Sequence, residues 1–319
     1  MTLTVAIVIH HLIQLNSNLA SNKMKKLLNL LLTGILLFLT LISLILTRRT
    51  RTRFGKLLGR SIYYLSKKRR LITFDNLQKA FPEKDVDWIK KVCIGSFENL
   101  GITFAELFAM YKLPYRKILS NVQLKYSPEI QDKIEKGNGF VILTGHFGNW
   151  ELAAFSLGLY FSTQITIIVK PQSNQYADIF LNKIRTRGGN KIVSMYHSAF
   201  EMVKVLKNRE GIALIADQSA TADKDVFVDF FGRLAATYKA PAQIALKFNV
   251  PMLIGFAIRQ NDYSYIVDIK EIDHSDLQDN EDGIYQLTLR HTKMLEQFIR
   301  QYPDHWVWQH RRWKHQPKD

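Results

Sequence analysis

Cysteine is nearly absent from this chain: Cys93 is the only one in 319 residues. No intrachain disulfide and no cysteine-rich metal site can form, and a reducing compartment fits. The histidines show no HExxH-type spacing, which removes the zincin class. No internal repeat, low-complexity tract or long flexible linker is visible, so repeat arrays and linker-joined modules are excluded. Acid is also missing, in a localised way. No Asp or Glu precedes residue 71.

What is present follows from that last absence. The formal charge is +16, and hydrophobic residues make up 47% of the chain, ample for a core. Lys23, Lys25, Lys26 and the ten bases of residues 48–70 supply +13, leaving +3 on residues 71–319. The basic excess therefore belongs to one segment. That segment follows Leu27–Leu46, twenty residues without a charge and with only Asn29 strongly polar. At ~1.5 Å per residue such a helix reaches ~30 Å, the thickness of a bilayer core. A cleaved signal peptide has a shorter apolar region and a small-residue cleavage site, neither of which is seen. The run reads as an uncleaved anchor.

Four arginines within Arg48–Arg53, against three lysines before the run, place the C-terminal body on the cytoplasmic side. Residues 48–70 then lie against anionic headgroups, each base near the surface contributing about 1 kcal/mol. Nucleic acid is the rival partner for such a run, and the adjacent span argues against it. Neutralising Arg69 and Arg70 is expected to weaken membrane association more than turnover. The chain thus divides into an anchor at 24–47, a basic membrane-proximal stem at 48–70 and a main domain at 71–319. Residues 1–23 read as an extension from an upstream start, because Thr2–Leu15 is too short to span and Met24-Lys25-Lys26 is a more natural beginning.

From residue 128 onward, short apolar runs alternate with helical patterns. This predicts an α/β fold, a mostly parallel or mixed sheet covered by helices on both faces, behind a helical lead. Expected strands include 140–144, 164–169, 191–193, 212–216, 226–230, 252–258 and 263–269. Functional loops in such sheets leave the C-terminal ends of strands. One of them, Thr144-Gly145-His146-Phe147-Gly148-Asn149-Trp150-Glu151, places a histidine and a carboxylate five positions apart across a strand-to-helix turn. Asn149 suits an N-cap, and Glu151 falls in the first helical turn, where the dipole favours negative charge. On one continuous helix the two side chains would diverge by roughly 140°; across the turn Glu151 can fold back to the ring. A carboxylate on one imidazole nitrogen leaves the other to take a proton from a hydroxyl. The same spacing suits a strand-end histidine and a helix-starting glutamate with no chemistry, and spacing alone does not choose.

Two further loops leave strand ends, one carrying Lys170 and the other Asp217-Gln218-Ser219, so three polar loops can converge on one cleft. Phe230-Phe231-Gly232-Arg233, followed by Thr237, fits either an acyl groove beside an anion site or an edge strand ending in a turn. The run from Tyr302 to Lys314 holds three of the five tryptophans among cations, which suits a lipid interface, a phosphate site or a cation–π surface.

Together these segments resemble the lipid A biosynthesis acyltransferase family, the late lauroyl and myristoyl acyltransferases, over about residues 54–314. The motif from His146 to Glu151 is similar to the family's His-x4-Asp/Glu signature. Asp217-Gln218, Phe230-Phe231-Gly232 with Thr237, and Trp306-Val307-Trp308 with His310-Arg311-Arg312-Trp313 follow in the expected order. The resemblance implies a cell inner membrane enzyme without a cofactor or metal. It implies transfer of a fatty acyl chain from an acyl carrier protein thioester to a hydroxyl of a glucosamine-based lipid. In that likeness His146 is the general base and Glu151 holds its ring. Lys170, Arg187, Asp217, Gln218, Arg233, Thr237 and Arg312 are the expected substrate-binding residues. Lys170 stands where relatives often carry arginine; lysine keeps the charge but loses the planar fork. Another glycolipid or lysophospholipid acceptor, or an inert lipid-binding protein, remains open at this point.

Overall fold

The computed structural model describes residues 22–137, 139–172, 174–221 and 225–317. The lead is helical: α1 (Asn22–Ile45), α2 (Arg48–Leu65), α3 (Lys67–Ala80) and α4 (Val86–Met110). The α/β part follows as α5 (Tyr115–Leu119), β1 (Val122–Lys125), α6 (Pro128–Lys136), β2 (Phe140–Thr144), α7 (Trp150–Tyr160), β3 (Ile165–Val169), α8 (Gln175–Arg187), β4 (Lys191–Ser194), α9 (Ser198–Lys207) and β5 (Gly211–Ile215). The chain then runs through β6 (Val226–Phe230), β7 (Arg233–Thr237), α10 (Ala240–Phe248), β8 (Met252–Arg259), β9 (Tyr265–Glu271) and α11 (Glu281–Gln301). The expected α/β architecture is present. The expected extension at residues 1–23 lies almost wholly outside the described residues.

Seven strands form one sheet in the order β1-β9-β8-β2-β5-β3-β4. The stretch β8-β2-β5-β3-β4 is parallel, β9 runs antiparallel to β8, and β1 is parallel to β9. Such a sheet needs cover on both faces, and its central strands are apolar on both sides. Phe140, Ile142, Ile167 and Ala213 pack towards α4, α7 and α8, while Val141, Leu143, Ile212 and Phe256 pack towards α9, α10 and α11.

The hairpin of β6 and β7 stands apart from the main sheet. Its two-residue turn, Phe231-Gly232, has φ of 56° and 72°, the geometry that matches strand twist. Here the acyl-groove reading of the two phenylalanines is corrected. Phe230 and Phe231 are buried against Trp306, Trp308 and Trp313, so they close the core. Composition could not show which face they took.

The lead packs as a folded unit. A Cβ on Gly55, Gly59 or Gly101 would come within 2.4 Å of the facing helix backbone, so glycine is what lets α2 and α4 touch. Helix α4 is long and apolar enough to cross a membrane, but it is mostly buried inside the fold. Leu36, Thr40 and Ser43 of α1 are buried, with Leu36 in one cluster with Leu100 and Phe104 of α4. Ile35, Phe38, Leu41 and Ile45 leave the opposite face of α1 apolar and exposed.

The stem's charges are largely engaged. Arg51 donates to the carbonyls of Ser43 and Leu46, and Arg60 pairs with Glu98 at 2.6 Å. Arg69 donates to the Gln309 carbonyl, and Arg70 to those of Tyr63 and Tyr64. Arg69 and Arg70 are therefore structural ties, and the neutralisation expected to release the membrane would also loosen the lead. Lys67 and Lys68 remain exposed.

Candidate active site

After Thr144 the chain leaves β2 and turns through Gly145-His146-Phe147-Gly148 into α7. Gly148 sits at φ +55°, where a Cβ would meet the Ala257 carbonyl oxygen at 1.7 Å; only glycine fits. Asn149 caps α7, its Oδ1 accepting from the Leu152 N–H at 3.0 Å, as expected. Its amide donates to Glu106, which also accepts from the Tyr265 hydroxyl at 2.6 Å. The chain's end holds the turn from the other side. The Gly148 N–H donates to the His305 carbonyl at 2.8 Å, and the Val307 N–H donates to the His146 carbonyl at 3.0 Å.

The ring of His146 is held by Asp217, not by Glu151. Its Nδ1 lies 2.8 Å from Asp217 Oδ1. The other carboxylate oxygen accepts from the His146 backbone N–H at 2.7 Å and from the Trp306 indole N–H at 2.8 Å. Burial would push the Asp217 carboxyl up, yet the His146 ring and these hydrogen bonds outweigh it and hold it at about 2. Burial pulls the His146 imidazole down, and the Asp217 and Glu151 carboxylates only partly restore it. The site therefore presents a neutral imidazole beside an ionised carboxylate.

Glu151 takes a different partner. Arg185, from the last turn of α8, donates through Nη2 at 2.6 Å and Nε at 2.9 Å in a two-point fork. Burial raises the Glu151 carboxyl, but Arg185 more than reverses this, so it too is ionised. Arg185 was not among the residues expected from the sequence. A usable signal was there: Ala177, Leu181 and Arg185 are spaced by four and are all buried. Arg187, two positions on, faces elsewhere.

His146, Glu151 and Arg185 line a cavity of about 350 Å³ whose remaining walls are mainly apolar. Lys170 and Gln218 line it as well, and Gln218 Nε2 is 3.4 Å from His146 Nδ1. The three strand-end loops do converge. The other expected residues lie off the cavity. Arg187 donates to the Met110 and Leu113 carbonyls and caps α4. Arg233 is exposed on the hairpin and reaches the Lys79 carbonyl at 3.4 Å. Arg312 is buried, donating to the Ala236 carbonyl and the Thr237 hydroxyl at 2.6 Å each, so these two bind the tail to β7. Burial brings the Arg312 guanidinium down to about 10. Among the described residues, no group of three or more His, Cys, Asp or Glu side chains could hold a metal ion.

Residues 21–315 match the family model described as bacterial lipid A biosynthesis acyltransferase. The lipid A biosynthesis palmitoleoyltransferase of Escherichia coli (strain K12) is 24% identical over 257 residues, covering 79% of this chain and 80% of that protein. The lipid A biosynthesis lauroyltransferase of the same organism is 24% identical over 270 residues, covering 83% and 86%. A lipid A biosynthesis acyltransferase of Shigella flexneri is 24% identical over 257 residues, with 79% and 80% covered.

Proposed function

Because the chain belongs to the bacterial lipid A biosynthesis acyltransferase family, we propose that it moves a fatty acyl group from an acyl carrier protein thioester to a hydroxyl of a lipid A precursor. With Nδ1 bonded to Asp217, the proton-accepting role falls to Nε2 of His146. The acceptor hydroxyl loses its proton to Nε2 as its oxygen attacks the thioester carbonyl carbon. The carbon–sulfur bond then breaks, and the imidazolium returns the proton to the departing thiolate. Asp217 fixes the ring's tautomer and stabilises the imidazolium formed in between. Trp150 lies beside the ring at 5.2 Å between centroids, and its buried indole N–H has no partner among the described residues. We assign it the developing oxyanion. Glu151 and Arg185 form part of the polar wall and keep α7 and α8 in register.

In this reading α1 anchors the chain in the inner membrane, its face of Ile35, Phe38, Leu41 and Ile45 against lipid. The catalytic body then lies on the cytoplasmic side, with Lys67 and Lys68 towards anionic headgroups. The observation that carries the proposal is the His146–Asp217 pair at an apolar cavity. It is tested by incubating the purified protein with a tetraacylated lipid A precursor and acyl carrier thioesters of several chain lengths, then weighing the product. A mass gain of one acyl group is expected. Unchanged precursor with every thioester would overturn it.

A further inference from the structure

From Ser96 to its end, α4 is apolar apart from Glu98, which pairs with Arg60 of the stem, and one polar stripe. Ser96, Asn99, Thr103 and Glu106 are spaced by three and four, so they share a face of the helix. The first three are buried and Glu106 is half-buried. Across the fold, the stripe bonds to the His146 turn and to the tail that clamps it. The Ser96 hydroxyl donates to the Trp306 carbonyl at 2.8 Å, and the Asn99 amide to the His305 carbonyl at 2.9 Å. The Thr103 hydroxyl donates to the Gly148 carbonyl at 2.8 Å, and Glu106 Oε2 accepts from the Asn149 amide at 2.7 Å. Burying polar groups costs free energy unless they are paired, and an apolar pair of the same shape can be as stable. The stripe therefore contributes direction more than stability.

The protons in this network have fixed senses. Arg259, at the end of β8, can only donate. Its Nε gives to the Tyr265 hydroxyl at 2.8 Å and its Nη2 to Asn99 Oδ1. Tyr265 has one hydroxyl proton, so that proton goes to Glu106 Oε2, 2.6 Å away. The same oxygen accepts from Asn149 Nδ2. With Nδ2 held there, Asn149 must turn Oδ1 to the Leu152 N–H, which is the capping sense. The reversed amide would set a donor against the N–H groups that open α7. Glu106 is thus the acceptor on which the start of α7 is oriented, and the His146 turn runs directly into that start.

We infer that Glu106 is a positioning residue for the reaction, acting through Asn149 on the turn that carries His146. It lies off the cavity wall and away from the reacting atoms. The stem helix α2 packs on the opposite side of α4, at Gly101. The membrane-proximal lead is then part of the active-site framework, holding the His146 turn from behind. The inference rests on His146 as the base, as read above, and adds to it a residue outside the cleft that sets where the base stands.

Two substitutions at one position test it. Glu106→Leu removes the acceptor, whereas Glu106→Gln keeps an oxygen that can accept from both donors. Glu106→Leu should lower kcat about 10²-fold, the scale of a ~1 Å misplacement at the reacting groups, with KM for precursor and thioester unchanged. Glu106→Gln should keep most of kcat. In an Asp217→Asn background, Glu106→Leu should cost much less than it does alone, because both changes act on the same ring. Wild-type kcat in Glu106→Leu, a loss carried by KM alone, an equal loss in Glu106→Gln, or the full factor persisting on top of Asp217→Asn overturns the inference. If Glu106→Leu fails to fold by circular dichroism, Asn149→Ser replaces it. Serine still caps a helix but has no amide to give Glu106, and the same loss of kcat is expected. A readout without turnover separates this claim from the proposed activity. In the full-length protein in detergent, the His146 Nδ1 proton bonded to Asp217 should give a low-field NMR signal, assigned by its absence in His146→Ala. It should persist in Glu106→Gln and broaden or vanish in Glu106→Leu; an unchanged signal in Glu106→Leu overturns the inference. No acyl transfer by the wild type, with the signal lost in Glu106→Leu, counts against the proposed activity alone.

Discussion

Asp217 and Glu151 are nearly equally buried, 3% and 2% exposed, and both are ionised, but they stand in different electrical situations. Glu151 faces a fixed cation in a two-point fork, so its charge is cancelled and its geometry is closed. Asp217 faces an uncharged ring and two N–H donors, so its charge stays available to an imidazolium. The carboxylate five residues from the histidine acts as a brace. The one 71 residues away holds the histidine ring.

The largest way to break this comparison is His146→Ala. It should lower kcat towards the far end of the ~10²–10⁴-fold range for a general base. Asp217→Asn should cost up to about 10⁴-fold, because the amide can donate to Nδ1 and favour the wrong tautomer. Full activity in that variant would remove Asp217 from the mechanism. Trp150→Phe keeps the ring and deletes the N–H, and about 10² in kcat should follow if it holds the oxyanion. Arg185→Met speaks to the brace. It leaves Glu151 charged and alone, a cost of about 3–5 kcal/mol in urea unfolding. The double variant Glu151→Gln with Arg185→Met should recover much of that stability.

The smallest effect is a pH dependence. Burial holds His291 at about 3 and His310 at about 4, and His146 is also lowered, against an ordinary value near 6.5. Below about pH 6.5 the unfolded chain binds more protons than the folded one, so stability falls as pH drops towards these values. Above that point these groups contribute no slope. A thermal melt series from pH 7.5 to 4.5 should show a falling midpoint, less steep in His291→Asn.

Much of the fold was readable because its signals are local. The buried run Phe140–Leu143, the Asn149 cap and the apolar helices after each strand all declare themselves within a few residues. The cleft was readable in outline, since loops at strand ends meet wherever strands are parallel neighbours. The pairing inside it was not. Which carboxylate reaches His146 depends on β5 lying next to β2, and strand order leaves no local trace. The aromatic tail misled for a related reason. By composition Trp306 and Trp308 suited a lipid interface, a phosphate site or a cation–π surface, whereas both are buried, and that burial depends on the hairpin that covers them.

The clamp on the His146 turn comes from residues 305–307, far along the chain from the turn itself. The sheet can assemble while the imidazole still lacks its final restraint. The geometry of the His146 loop is thereby completed late, after the strands that carry it.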